Sequence, residues 1–118
     1  MEERLTFGEM LARLQAAQRE EDSSPEGLQH EMVEAGSGLV ASRAGWNGKA
    51  MFICLMPAVE IPAQAVNARS RRYVPTGPLR VRSYLCMVDA QGMWCPGWLA
   101  SQADMLSDDW RVCLRKDL

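Results

Sequence analysis

A chain of 118 residues, 47% apolar and 24% charged, can bury one modest core, and its formal net charge of -2 excludes bulk electrostatic binding to DNA or RNA. Its longest apolar run, Ala50 to Val59, is too short to cross a bilayer, and the acidic opening "MEERLTFGEM" lacks both the basic and the apolar parts of a signal peptide. The composition reads as a single domain over 1–118 in the cytoplasm, away from membranes and polymeric nucleic acid.

Thr6 opens the first element as a helix N-cap, with Glu9 completing a capping box. Phe7, Met10, Leu11 and Leu14 recur at i, i+3, i+4, i+7, so this long helix has one apolar face. Residues 21–38, "EDSSPEGLQHEMVEAGSG", are polar and broken by proline and glycine, and read as an insertion around 21–37 with a turn of helix near Leu28–Val33. The only histidine, His30, falls there and reads as solvated rather than catalytic.

"LVASRAGW", an Asn47-Gly48 turn and "KAMFICLMP" then predict a two-residue-loop β-hairpin. Its second arm is apolar on both faces and reads as a central strand. Residues 57–79, with Pro57, Pro62, Pro75 and Pro78, read as an extended crossing loop. "LRVRSYLCMVD" alternates like one long strand, Asp89 to Gly92 makes a turn, and "MWC" pairs back before Pro96-Gly97. Ser101 caps a short helix with Asp104 at its third position, and "DWRVCL" closes the sheet. The expected fold is α+β: a small, mainly antiparallel sheet with one long N-terminal helix and one short C-terminal helix.

Three stretches carry candidate chemistry. In a two-residue hairpin, Trp46 and Lys49 stand as an opposed cross-strand pair, either a plain cation–π contact or a ring that stacks a base beside a cation that meets a phosphate. Arg69, Arg71, Arg72, Arg80 and Arg82 fall within fourteen residues around Tyr73, either an anion lid or a solvated basic loop or subunit contact. Trp98, Ser101, Gln102 and Asp104 gather at the start of the short helix, whose free amides offer an anion site, with Trp110 read as core.

A single histidine leaves no Ser-His-Asp or Cys-His constellation, there is no phosphate loop, and Asp104, Asp108 and Asp109 are candidates for a catalytic acid pair only by proximity in sequence. Cys54, Cys86, Cys95 and Cys113 are too scattered for a zinc site and read as small core residues, not disulfides. No cofactor is implied, and binding is favoured over catalysis.

Three segments, "TFGEML", "RAGWNGKAM" and "WLASQADMLSDDW", in that order, resemble the phage-encoded Thoeris anti-defence 2 family. The resemblance implies a viral immune-evasion sponge, not an enzyme. Such proteins bind cyclic ADP-ribose isomers made by TIR-domain enzymes, glycocyclic ADP-ribose among them, and withhold them intact from the effector in the host bacterial cytoplasm. It also implies a homotetramer with ligand pockets at subunit interfaces and, for some members, cyclic dinucleotides at separate sites. Carried over by motif, the ligand-binding candidates are Trp46, Asn47 and Lys49 from the hairpin and Trp98, Ser101, Gln102 and Asp104 from the last segment; the basic stretch adds Arg80 and Arg82. The chain departs from the family pattern in the 21–37 insertion and in Ala50, which replaces a glycine and reads as merely setting the strand start. An enzyme that cleaves such a signal and a phage protein–protein interaction module are the alternatives.

Overall fold

The structure is a computed structural model that describes residues 1–22, 34–46 and 50–118. The expected helical turn near Leu28–Val33, His30, the Asn47-Gly48 turn and Lys49 lie outside the described residues. The chain runs β1 (Glu2–Leu5), α1 (Phe7–Asp22), β2 (Leu39–Arg43), β3 (Phe52–Met56), β4 (Val59–Ile61), α2 (Ala68–Arg71), β5 (Leu79–Val81), β6 (Tyr84–Val88), β7 (Trp94–Pro96), α3 (Gln102–Leu106) and β8 (Trp110–Leu114). The class is α+β, as the sequence predicts. Six strands form one antiparallel sheet in the order β1-β8-β2-β3-β6-β7, while β4 and β5 pair only with one another.

α1 starts where its capping box puts it. The Thr6 backbone N–H donates to Glu9 Oε1 at 3.0 Å, and the Glu9 N–H donates to Thr6 Oγ1 at 3.1 Å. These bonds satisfy two donors that every helix start leaves open. The helix lays Met10 and Leu14, both buried, on one face of the sheet against Leu5, Ala41, Ile53, Met87, Trp110 and Val112. Each such side chain contributes about 1.5–3 kcal/mol through burial. Period-two alternation sends the neighbours Val40, Phe52, Val88 and Cys113 to a second cluster on the opposite face. β3, apolar on both faces, is a central strand with β2 and β6 beside it.

Four expectations are corrected. Residues 57–79 are not a plain loop: β4 and α2 form there, the helix capped by Asn67 Oδ1, which accepts from the Ser70 N–H at 2.8 Å. "LRVRSYLCMVD" is not one strand but two. β5 pairs with β4 in the small sheet, and β6 pairs with β3 in the large one. The cysteines are not all core: Cys86 and Cys113 are buried, Cys54 is half-buried and Cys95 is exposed on the edge strand β7. Finally, β2 stops at Arg43 and Ala44–Trp46 form a turn of 3-10 helix, so Trp46 does not end a strand as a two-residue hairpin requires.

Candidate functional site

β2 and β8 lie side by side with Arg43 in register with Trp110, which brings the two segments "SRAGW" and "SQADMLSDDW" to one end of the sheet. An arginine clamp joins them. Arg43 Nη1 donates to Asp104 Oδ1 at 2.9 Å and Nε to Asp109 Oδ1 at 2.9 Å. The second oxygen of each carboxylate is also used: Asp109 Oδ2 accepts the Gly45 N–H at 3.0 Å, and Asp104 Oδ2 accepts the Ser101 N–H at 3.1 Å. The Ala44 N–H turns to the Asp109 carbonyl at 3.1 Å. These last two bonds to Asp109 explain why the chain leaves the β2 ladder after Arg43.

The clamp is sheltered, with 18% of the Arg43 side chain and 14% of the Asp104 side chain exposed. Hydrogen bonding from Arg43, with smaller help from the Gly45 amide, overcomes partial burial and holds Asp109 below the usual carboxylate range. At Asp104 burial acts in the opposite direction and is the largest single influence, yet the combined bonds from Arg43 and Ser101 lower its pKa. Arg43 is raised in turn, chiefly by its bond to Asp109.

Beside the clamp, three indoles and a phenyl ring interlock. Trp110 is fully buried and donates its Nε1–H to the Asp104 carbonyl at 2.8 Å. Trp46, Phe7 and Trp98 pack around it at 5.3, 5.7 and 6.4 Å between ring centres, all edge to face. Such pairs add about 0.5–1.5 kcal/mol each beyond area burial. Trp46 and Trp98 are only half-buried, so each keeps an open side.

Next to Trp46 a cavity of about 280 Å³ opens, lined by Ser42, Arg43, Trp46, Ala50, Met51 and Arg111 among others. Ser42 is buried and lies in register with Arg111 across β2 and β8. Arg111 Nη2 donates to Ser42 Oγ at 3.4 Å, a long bond, and its buried Nε has no partner among the described residues.

The Thoeris anti-defense 2-like domain model matches residues 5–113. The chain belongs to this family. Among curated proteins no significant match is found. Membership gives the chain an anti-defence role toward the Thoeris system, and the motifs that carry the resemblance are the ones joined at this end of the sheet.

Of the residues predicted from sequence, Trp46, Trp98, Ser101 and Asp104 meet here. Gln102 is exposed at the first position of α3. Asn47 and Lys49 lie outside the described residues. Arg80 and Arg82 lie elsewhere, exposed on and just after β5, with Arg80 Nε 3.3 Å from Glu60. Arg71 is a staple within its own loop, donating to the carbonyls of Val74 and Ala63 at 3.0 and 2.8 Å. α3 has five residues, too short for much of a dipole, and the Asp104 amide of its first turn is spent on Ser101 Oγ at 3.1 Å. The arginine clamp and the Ser42–Arg111 pair were not predicted. Their only signal in the sequence is a polar residue breaking the apolar run of each strand, in "LVASR" and "WRVCL".

A larger cavity of about 550 Å³ lies toward the other end of β2 and β3, with walls including Leu14, Phe52, Cys54, Leu55 and Trp94. Burial pushes the Cys54 thiol up to about 11, with Cys86 directly across the strand pair adding to it, so this sulfur stays protonated near neutrality. Among the described residues no three His, Cys, Asp or Glu side chains cluster to hold a metal ion, and no helix is long and apolar enough to cross a membrane.

Proposed function

We propose that this chain is a phage immune-evasion protein that binds a cyclic nucleotide signal, in the first instance glycocyclic ADP-ribose made by a TIR-domain enzyme, and holds it unaltered in the bacterial cytoplasm so that the effector is not activated. The observation that carries this reading is the joining of the two family motifs at one end of the sheet, through the Arg43 clamp and the packed indoles, beside a cavity that Trp46, Arg43 and Arg111 line. A base has Trp46 or Trp98 to stack on. Sugar hydroxyls have Ser101 and Gln102 within the same motif. Asp104, whose two oxygens are both engaged by Arg43 and Ser101, acts here mainly by holding the motif in place.

A cavity of about 280 Å³ falls at or below the small end of ligand pockets, which run from about 300 to 1,000 Å³. That supports a site completed by a second subunit in a homotetramer, and Leu99 and Leu106, large apolar side chains exposed beside the motif, suit such an interface. In that arrangement Arg80 and Arg82 reach the ligand from a neighbouring subunit. Cyclic dinucleotides are further candidate ligands.

The test is direct. The protein is incubated with glycocyclic ADP-ribose, freed of unbound ligand and heat-denatured, and the supernatant is analysed. Recovery of intact ligand is expected; recovery of a linear product would assign an enzyme instead. Light scattering at micromolar concentration should give four subunits, and a monomer would remove the interface-built pocket.

A further inference from the structure

Two arginines sit one position out of register on neighbouring strands, and among the described residues only one of them has a carboxylate partner. Arg43 has two carboxylate partners at 2.9 Å. Arg111, on the opposite face of the sheet, makes no ion pair among the described residues. Among these residues its buried Nε has no acceptor, and its hydrogen bond to Ser42 is 3.4 Å long. A buried charged donor without a partner costs more than the roughly 1–3 kcal/mol of a neutral one. The guanidinium fork matches the oxygens of a phosphate in geometry and charge. Ser42 accepts from Arg111 with a lone pair, so its own O–H is left to donate.

Arg111 borders two cavities. One, of about 470 Å³, also includes Asp108 and Asp109 in its walls, and these carboxylates repel an anion. The other is the cavity beside Trp46, where Arg43 already holds its own carboxylates.

We infer that Arg111, assisted by the Ser42 hydroxyl, is the anion anchor of the Trp46 cavity and takes the phosphate or diphosphate group of the bound nucleotide. This rests on the reading of that cavity as the nucleotide site. It divides the labour in the pocket: Trp46 meets the ring, Arg111 meets the charge, and Arg43 supports both from behind.

Calorimetry with glycocyclic ADP-ribose and, separately, with inorganic pyrophosphate tests it. Arg111→Gln should weaken both by about tenfold or more, as expected for loss of a charge-assisted bond, and Arg111→Lys should recover only part because it lacks the fork. Arg19→Gln, an exposed position on α1, should change neither. The wild-type affinity should fall with added salt more steeply than that of Arg111→Gln. Unchanged affinity in an Arg111→Gln protein that melts like the wild type overturns the inference and leaves the sponge reading intact. Pyrophosphate bound through Arg111, with no cyclic nucleotide bound, supports the anchor and overturns the sponge reading. If Arg111→Gln does not fold, the Nε–H resonance of Arg111 in the wild-type protein decides: it should shift on titration with pyrophosphate, and a resonance that stays still at saturation overturns the anchor.

Discussion

The clamped end of the sheet and the β4–β5 arm each contain an arginine–carboxylate pair, and the two pairs do different physical work. Arg43 binds two carboxylates at 2.9 Å with 18% of its side chain exposed. Arg80 meets one, Glu60, at 3.3 Å, with 81% and 57% of the two side chains exposed. In the sheltered pair each carboxylate has a second oxygen at work, holding the backbone of Gly45 or Ser101. In the exposed pair water screens the attraction, and holding two long side chains together costs entropy. Chemistry alone does not rank these contacts. Burial and the number of bonds that each carboxylate makes do.

The comparison breaks most visibly at Arg43. Arg43→Ala leaves two partly buried carboxylates without their cation, a loss of about 3–5 kcal/mol for a fully buried pair. Partial exposure places this one near the lower end, about 3 kcal/mol, or a melting temperature about 10 °C lower for a chain of this size. Urea denaturation measures it. A change under about 1 kcal/mol would show the clamp to be no stronger than a surface pair.

The acid limb of stability sharpens the same point. Asp104 and Asp109 are held below the ordinary carboxylate range when folded, so they stay ionised to lower pH in the folded state than in the unfolded one. Their contribution is fully present above about pH 4, the unfolded value, and is lost as pH falls through the folded values. Stability measured from pH 7 downward should therefore decline below about pH 4. In Arg43→Met this decline should flatten, because the strongest of the bonds that lower the two carboxyls are gone while those from Ser101 and Gly45 remain. Glu9, lowered chiefly by its bond from the Thr6 amide, keeps a residual slope in both proteins. Parallel curves for wild type and variant would show that the clamp is not what lowers these groups.

How much of this was legible in the sequence depended on distance along the chain. Both capping boxes, Thr6 with Glu9 and Ser101 with Asp104, were readable because each closes within three residues. β3 was readable because it is apolar on both faces. β1 was not: "EERL" has no alternation to show, and its place is set by β8, which it joins through a bulge at Arg4, a residue with φ of 58°. The break between β5 and β6 was hidden because only Arg82 and Ser83 separate two strand-like runs, and a single small polar residue at an in-phase position does not show that the chain changes sheets. At the site, the indoles of the two motifs were legible and the clamp was not, since Arg43 finds its partners 61 and 66 residues away. Ser42 and Arg111 become a pair only once the β2–β8 register is known.

The two regions also differ in how they turn. The arm places Gly77 at φ 78°, a conformation glycine adopts without penalty, whereas the clamped end places Ala50 at φ 57°. Ala50 thus does more than set the strand start: it holds a left-handed backbone in which its Cβ is crowded, at about 1–2 kcal/mol. Ala50→Gly relieves that strain but gives the unfolded chain more freedom, so the expected net gain is about 0.5–1 kcal/mol. Guanidinium denaturation checks the sign; a loss of stability would show that the surrounding packing relies on the alanine methyl.

The smallest expected effect is the most discriminating about the arm. Arg80→Ala and Glu60→Ala should each change stability by less than about 0.5 kcal/mol, and a double-mutant cycle between them should return a coupling of about 0.2–0.5 kcal/mol that shrinks as salt is added. Small losses in stability together with a large loss of cyclic-nucleotide affinity for Arg80→Ala would mean that Glu60 only parks a guanidinium whose working partner is the ligand. That result would place Arg80 in the pocket of a neighbouring subunit. If neither stability nor affinity moves, the arm's basic character serves solvation alone, and the charge of the nucleotide falls to the sheet face and Arg111.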